Sequence, residues 1–107
     1  MLASDEDILR KAQEWRDAGS KVAIATVIET WGSAPRPVGS HLVVDADGLF
    51  LGSVSGGCIE AEVVSEALEI IGTGKPRLLD FGVAEETAWH AGLSCGGKIK
   101  VYVERVD

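Results

Sequence analysis

Val22-Ala23-Ile24-Ala25-Thr26-Val27-Ile28 places six apolar residues among seven consecutive positions. No alternation of period two separates a wet side from a dry one, so the run reads as a strand covered on both faces. A strand of that kind needs packed layers above and below it, and its neighbours supply them. Upstream, Asp5 to Asp17 has the pattern of an amphipathic helix. Ser4 suits the N-cap, Asp5 to Asp7 suit the positive helix end, and Gly19 fits a C-terminal stop. Ile8, Ala12 and Trp15 fall on one face with Leu9 beside them, which makes that face core.

Downstream, Thr30 to Gly39 is loop chemistry, with Pro35 and Pro37 fixing φ on either side of Arg36. His41 to Val44 and Leu49 to Val54 then flank Asp45-Ala46-Asp47-Gly48, a hairpin turn. The second of these strands runs into Ser55-Gly56-Gly57-Cys58, which opens a second helix ending near Gly72-Thr73-Gly74. Pro76 to Phe81 and Lys98 to Glu104 read as further strands, with a short helical piece over Glu85 to Trp89. In the last strand Lys98, Lys100 and Glu104 alternate with Ile99, Val101 and Val103, which gives it one wet face and a place near a sheet edge. The order helix, strand, hairpin, helix, strand, short helix, strand specifies an α/β class in the broad sense (α+β), a mixed β-sheet with two main helices packed on it.

With 107 residues, one core is all the chain can close, so a single small domain is expected: an N-terminal helix over 1–19 and a motif-bearing core over 20–107. The net charge of −7 argues against nucleic acid or an anionic membrane as partner, since both demand a basic face. The acidic N-terminus has no apolar signal core, and no apolar run reaches the length of a membrane span. Two cysteines in such a chain read as thiols rather than a structural disulfide, and the expected location is the cytoplasm. So small a domain with a nearly all-apolar strand is expected to form a homodimer or to lean on a partner.

Between Lys21 and Lys75 the only Lys or Arg is Arg36. An anion held by the central segment would therefore depend on backbone N–H groups and on that one guanidinium. The Ser55-Gly56-Gly57-Cys58 junction offers such groups at a positive helix end, although a tight strand-to-helix turn explains the glycines equally well. Cys58, placed in the first helical turn, would be favoured as thiolate; the alternative is a small buried hydrophobe. Glu60 projects into the half of the helix formed by Ile59, Val63, Val64, Ala67, Leu68, Ile70 and Ile71. A carboxylate there either caps free N–H groups of the helix end or faces a site, since unpaired burial would be expensive. Ser94-Cys95-Gly96-Gly97 echoes the first motif before the last strand, and two such loops suggest one shared site. His41 and His90 have no zinc-ligand spacing, and no nucleophile–base–acid triad is apparent.

These motifs resemble a known family. Ala25 to Ile28 followed by Trp31 to Gly39, then Gly52-Ser53-Val54-Ser55-Gly56-Gly57-Cys58-Ile59-Glu60, Gly74-Lys75-Pro76 leading to Asp80-Phe81-Gly82, and Leu93 to Gly97 are similar, in order, to the N-terminal domain of XdhC/CoxI proteins. The resemblance implies an accessory protein, not an enzyme, with no catalytic residues. It would bind molybdenum cofactor, as molybdopterin or its cytosine dinucleotide form, and assist its maturation and insertion into a xanthine dehydrogenase-like or CO dehydrogenase-like molybdenum hydroxylase. Arg36, Ser55, Gly56, Gly57, Cys58, Glu60, Cys95, Gly96 and Gly97 become the expected cofactor-binding residues, with Cys58 and Cys95 as soft contacts to molybdenum or its sulfur. Family members carry a Rossmann-like domain after this one; the sequence stops at Asp107, so that domain is expected to be absent or supplied by a separate partner. Two other readings compete: a thiol-based redox protein using Cys58 and Cys95, and a ligand-free module docking a larger subunit.

Overall fold

A computed structural model describes residues 5–31, 36–54, 59–81 and 98–106. In chain order these form α1 (Asp5–Asp17), β1 (Val22–Trp31), β2 (His41–Asp45), β3 (Phe50–Gly52), α2 (Glu60–Thr73), β4 (Arg77–Phe81) and β5 (Lys98–Val106). The strands make one sheet in the order β3-β2-β1-β5-β4. All four pairings are antiparallel, and two helices pack on the sheet as the element order implied. The Glu85 to Trp89 segment and the Ser4 cap lie outside the described residues.

β1 is the middle strand, and its two sides face different helices. Ala23, Ala25 and Val27 join Leu42, Val44, Val54, Ile59, Val63, Ala67, Ile70, Ile71, Ile99, Val101 and Val103 in the main core beneath α2. Val22 and Val43, on the opposite face, join Ile8 and Ala12 of α1, with Trp15, Leu51 and Val106 at the margin. Each fully buried Val or Ile contributes roughly 1.5–3 kcal/mol, so the larger α2 layer carries most of the hydrophobic stabilisation. Leu9 and Leu68, which the helical pattern placed beside the core, are exposed. Each sits at the margin of its apolar face, where sheet coverage ends.

Strand boundaries differ from the pattern of the sequence. β1 does not stop at Ile28 but continues through Trp31, because a shift in register between Val27 and Glu29 lets Glu29, Thr30 and Trp31 pair with Lys100, Ile99 and Lys98. Such a bulge depends on a partner strand about seventy positions away and is invisible locally. β5 stands one strand in from the β4 edge, and its wet face is the side α1 leaves uncovered, where Tyr102 and the neighbouring Leu78 are exposed.

β3 and β4 run in the same direction at opposite edges, so α2 must cross the whole sheet to join them. It ends at Gly74, whose φ of +74° is left-handed and whose N–H donates to the Ile70 carbonyl at 2.7 Å; glycine is the usual residue there. A Cβ on Gly74 would stand 2.8 Å from the Arg105 guanidinium, which donates to the Ile71 carbonyl at 3.3 Å. On β4, Arg77 pairs with Glu66 and, at 3.0 Å, with Glu69 of α2. Its hydrogen bonds to Glu69 and then Glu66 hold the guanidinium pKa above its ordinary value.

The hairpin between β2 and β3 closes through Asp45. Its Oδ1 accepts from the N–H groups of Asp47 and Leu49, both at 2.9 Å, while Gly48 takes φ +87°. This is a three-residue turn with glycine at the left-handed position. At the far end of β3, Gly52 also has positive φ, +99°. There a Cβ would collide with the His41 carbonyl oxygen and stand 2.8 Å from Cδ1 of Ile8. Nothing lies within 4 Å of the corresponding position on Gly48. Gly48→Ala should therefore cost only the left-handed strain, about 1 kcal/mol. Gly52→Ala should cost about 2–4 kcal/mol, because overpacking adds to that strain. Urea unfolding midpoints of the two variants test this directly.

Candidate functional site

The strand ends that border the segments singled out as functional lie at one end of the sheet. Trp31 at the end of β1 pairs with Lys98 at the start of β5, and Phe81 at the end of β4 pairs with Ile99. β2 starts at His41 and β3 finishes at Gly52 on the same end, joined there by the Ser53 N–H donating to the His41 carbonyl at 3.1 Å. The connections 32–40, 53–59 and 82–97 all leave or enter the sheet at this end. Arg36, the Ser55–Cys58 segment, Glu60 and the Cys95–Gly97 segment belong to those connections or adjoin them. Ser55, Gly56, Gly57, Cys58, Cys95, Gly96 and Gly97 themselves lie outside the described residues, as does the idea that the two cysteines share a pocket.

The Arg36 side is built by a tight turn. Gly39, at φ +95°, lets the Ser40 N–H and its hydroxyl both donate to the Pro37 carbonyl, at 3.2 and 2.7 Å. The Gly39 N–H donates to the Val27 carbonyl at 2.8 Å, and the Val27 N–H to the Ser40 carbonyl at 3.0 Å. The turn is thus fastened to β1 on one side and leads directly into β2 on the other. Arg36 enters it half-buried. Its Nε is buried with no hydrogen-bond partner, the one such side-chain atom among the described residues. Buried N–H donors are nearly always paired, so an orphan of this kind calls for an acceptor supplied from elsewhere.

The other anchor is Glu60. It is 7% exposed, and its Oε2 accepts from the Ser53 hydroxyl at 2.7 Å and from the Val54 N–H at 3.0 Å. The carboxylate thus reaches back to the residues that follow the preceding strand. The two residues bordering the Ser55–Cys58 segment, Val54 and Ile59, are both buried, so the segment spans two fixed points that Glu60 ties together. The helix begins at Glu60 with Ile59 as N-cap. Its first turn therefore carries Glu60 and Glu62, and the expected placement of Cys58 within that turn is corrected. Ser53 is the residue the sequence pattern passed over; its only signal was a hydroxyl one residue before a buried strand end.

Among the described residues no group of three or more His, Cys, Asp or Glu side chains is placed to hold a metal ion, and no helix is long and apolar enough to cross a membrane.

Residues 15–82 match the model of the XdhC and CoxI family. The chain belongs to this family. The molybdenum cofactor insertion chaperone PaoD of Escherichia coli K12 is 40% identical over 100 residues, covering 92% of this chain and 31% of that protein. A Bacillus subtilis protein named as a probable subunit of xanthine dehydrogenase is 29% identical over 89 residues, covering 80% of this chain and 27% of its own length. In structure, the chain superposes on a xanthine dehydrogenase from Bacillus halodurans with a TM-score of 0.77 at 27% identity, covering 98% of this chain and 31% of that one. The chain therefore spans about a third or less of the length of these relatives.

The Glu60 tie has a measurable weight. Glu60→Ala would leave the buried Val54 N–H without an acceptor, which costs roughly 1–3 kcal/mol. Glu60→Gln keeps an acceptor oxygen and should cost less than half as much. Ser53→Ala, which spares the Val54 bond, should cost about 1 kcal/mol. Denaturant titration should return that order; equal losses for Glu60→Ala and Glu60→Gln would show that the charge, not the acceptor, matters.

Proposed function

We propose that this domain receives molybdenum cofactor as cargo and holds it for insertion into a molybdenum hydroxylase of the xanthine dehydrogenase or CO dehydrogenase kind, acting as an accessory protein and not a catalyst. The observation that carries the reading is the orphaned Arg36 Nε, held at the sheet end from which both Ser/Cys/Gly-Gly segments depart. The names of the relatives support the class of cargo and client: one is a molybdenum cofactor insertion chaperone and another a probable xanthine dehydrogenase component.

The donor set suits that cargo. Molybdopterin, alone or as its cytosine dinucleotide, carries phosphate together with sulfur-ligated metal. Arg36 offers a planar fork to the anionic part. In this reading Ser55, Gly56, Gly57, Gly96 and Gly97 allow close backbone approach, and Cys58 and Cys95 supply soft contacts to molybdenum or its sulfur. Glu60 serves by holding the Ser55–Cys58 segment at both ends rather than by touching the cargo. The client hydroxylase, a separate Rossmann-like partner or a second copy of the chain would dock on the face of β4 and β5 that α1 leaves open, where Leu78 and Tyr102 are exposed. A cytoplasmic setting belongs to the same proposal.

Anaerobic incubation with molybdenum cofactor followed by gel filtration tests this. Molybdenum should co-elute with the protein near one equivalent. Cys58→Ser and Cys95→Ser should each fold but lose most of it, and the double variant should be little worse than either. Protein that elutes free of molybdenum sinks the reading, and cysteine variants that retain it fully would remove the thiols from the site.

A further inference from the structure

Resting on that reading, we infer that the phosphate of the cargo is read by the Arg36 turn and not by the N-terminus of α2. A glycine-rich strand-to-helix junction is ordinarily where a phosphate would be sought, because the helix end carries about half a positive charge and free N–H groups. Here that end is already electrostatically occupied. The first turn of α2 contains Glu60 and Glu62. Glu60 cannot swing aside to admit an anion, since its carboxylate is buried and pinned by the Ser53 hydroxyl and the Val54 N–H. A carboxylate fixed within the first turn competes with an incoming anion for the partial positive charge of the helix end, and the exposed Glu62 adds a second.

Arg36 has the opposite character. Its Nε is buried and lacks an acceptor, and the nearby Pro37 carbonyl already accepts from the Ser40 N–H and hydroxyl. Pro35 and Pro37 restrict the backbone on both sides of it. A guanidinium presented this way matches a phosphate through two parallel N–H···O bonds, which lysine cannot reproduce. Phosphate recognition therefore falls to the Arg36 turn.

The test compares two ligands on the full chain: molybdenum cofactor, and the same cofactor after phosphatase treatment has removed the terminal phosphate. Retention is measured by anaerobic gel filtration for wild type, Arg36→Gln, Arg36→Lys and Glu60→Gln, with melting temperatures confirming that each is folded. Arg36→Gln should weaken the phosphorylated form about tenfold or more, as loss of a charge-assisted pair implies, and leave the dephosphorylated form unchanged. Arg36→Lys should recover part of the loss. Glu60→Gln should move both forms alike. The orientation is overturned if Arg36→Gln weakens both forms equally or neither, or if Glu60→Gln selectively tightens the phosphorylated form. Wild-type protein that retains neither form overturns the functional reading itself, a separate failure.

Discussion

β1 is dry on both sides from Val22 to Val27, apart from the half-buried Thr26, and the architecture follows from keeping it so. A strand that shows no polar face must be covered by helices above and below and by strands to left and right. α1 and α2 supply the first, β2 and β5 the second. Ala23 and Ala25 both face α2 and let that helix layer come close, while Val22 on the other face packs against Ile8 and Ala12 of α1. Because β3 and β4 are parallel edge strands on the far sides of β1, the connection between them is forced over the sheet. That requirement, rather than any preference local to residues 60–73, is why α2 is long enough to seal one face.

The same geometry concentrates chemistry at one end. Antiparallel neighbours alternate in direction, so the ends of β1, β3 and β4 and the beginnings of β2 and β5 coincide. Three connections converge there, and two are secured by side chains rather than by sheet hydrogen bonds alone. Ser40 locks the Arg36 turn through the Pro37 carbonyl, and Glu60 locks the β3–α2 junction through Ser53 and Val54. The opposite end, with the Asp45 turn and the Gly74 stop, satisfies its own polar groups and offers no comparable orphan among the described residues.

Much of this is legible in the sequence alone. The span of α1 from Asp5 to Asp17 follows from its acidic start and Gly19, and the hairpin from Asp45 to Gly48 follows from its turn chemistry; both depend on neighbours in sequence. What the pattern missed depends on neighbours in space. The continuation of β1 through Trp31 needs β5 and a bulge. The true start of α2 at Glu60, and the burial of that carboxylate against Ser53 and Val54, need the end of β3 to be in place. The periodicity showed that Glu60 was out of register with water; it could not show what it met there. Arg36 stood out as the lone base in an acidic stretch, but its unpaired Nε is a property of the folded turn.

The strand pairing that completes β1 joins residues from opposite ends of the domain: Val22 with Val106, Ala25 with Val103, Trp31 with Lys98. During synthesis, one side of the most apolar strand must wait until positions 98–106 have cleared the ribosome. Closing a loop of that length is entropically slow, so topology rather than local propensity sets the pace of folding. Throughout that interval α1, β1, β2 and β3 form at best a half-sheet with an open hydrophobic edge, the kind of surface on which nascent chains aggregate or recruit holdases. Arg105 extends the delay to α2, since the side chain that meets its last-turn carbonyl is among the final residues of the sheet. The most apolar strand of the domain thus stays open along one edge until β5 is made.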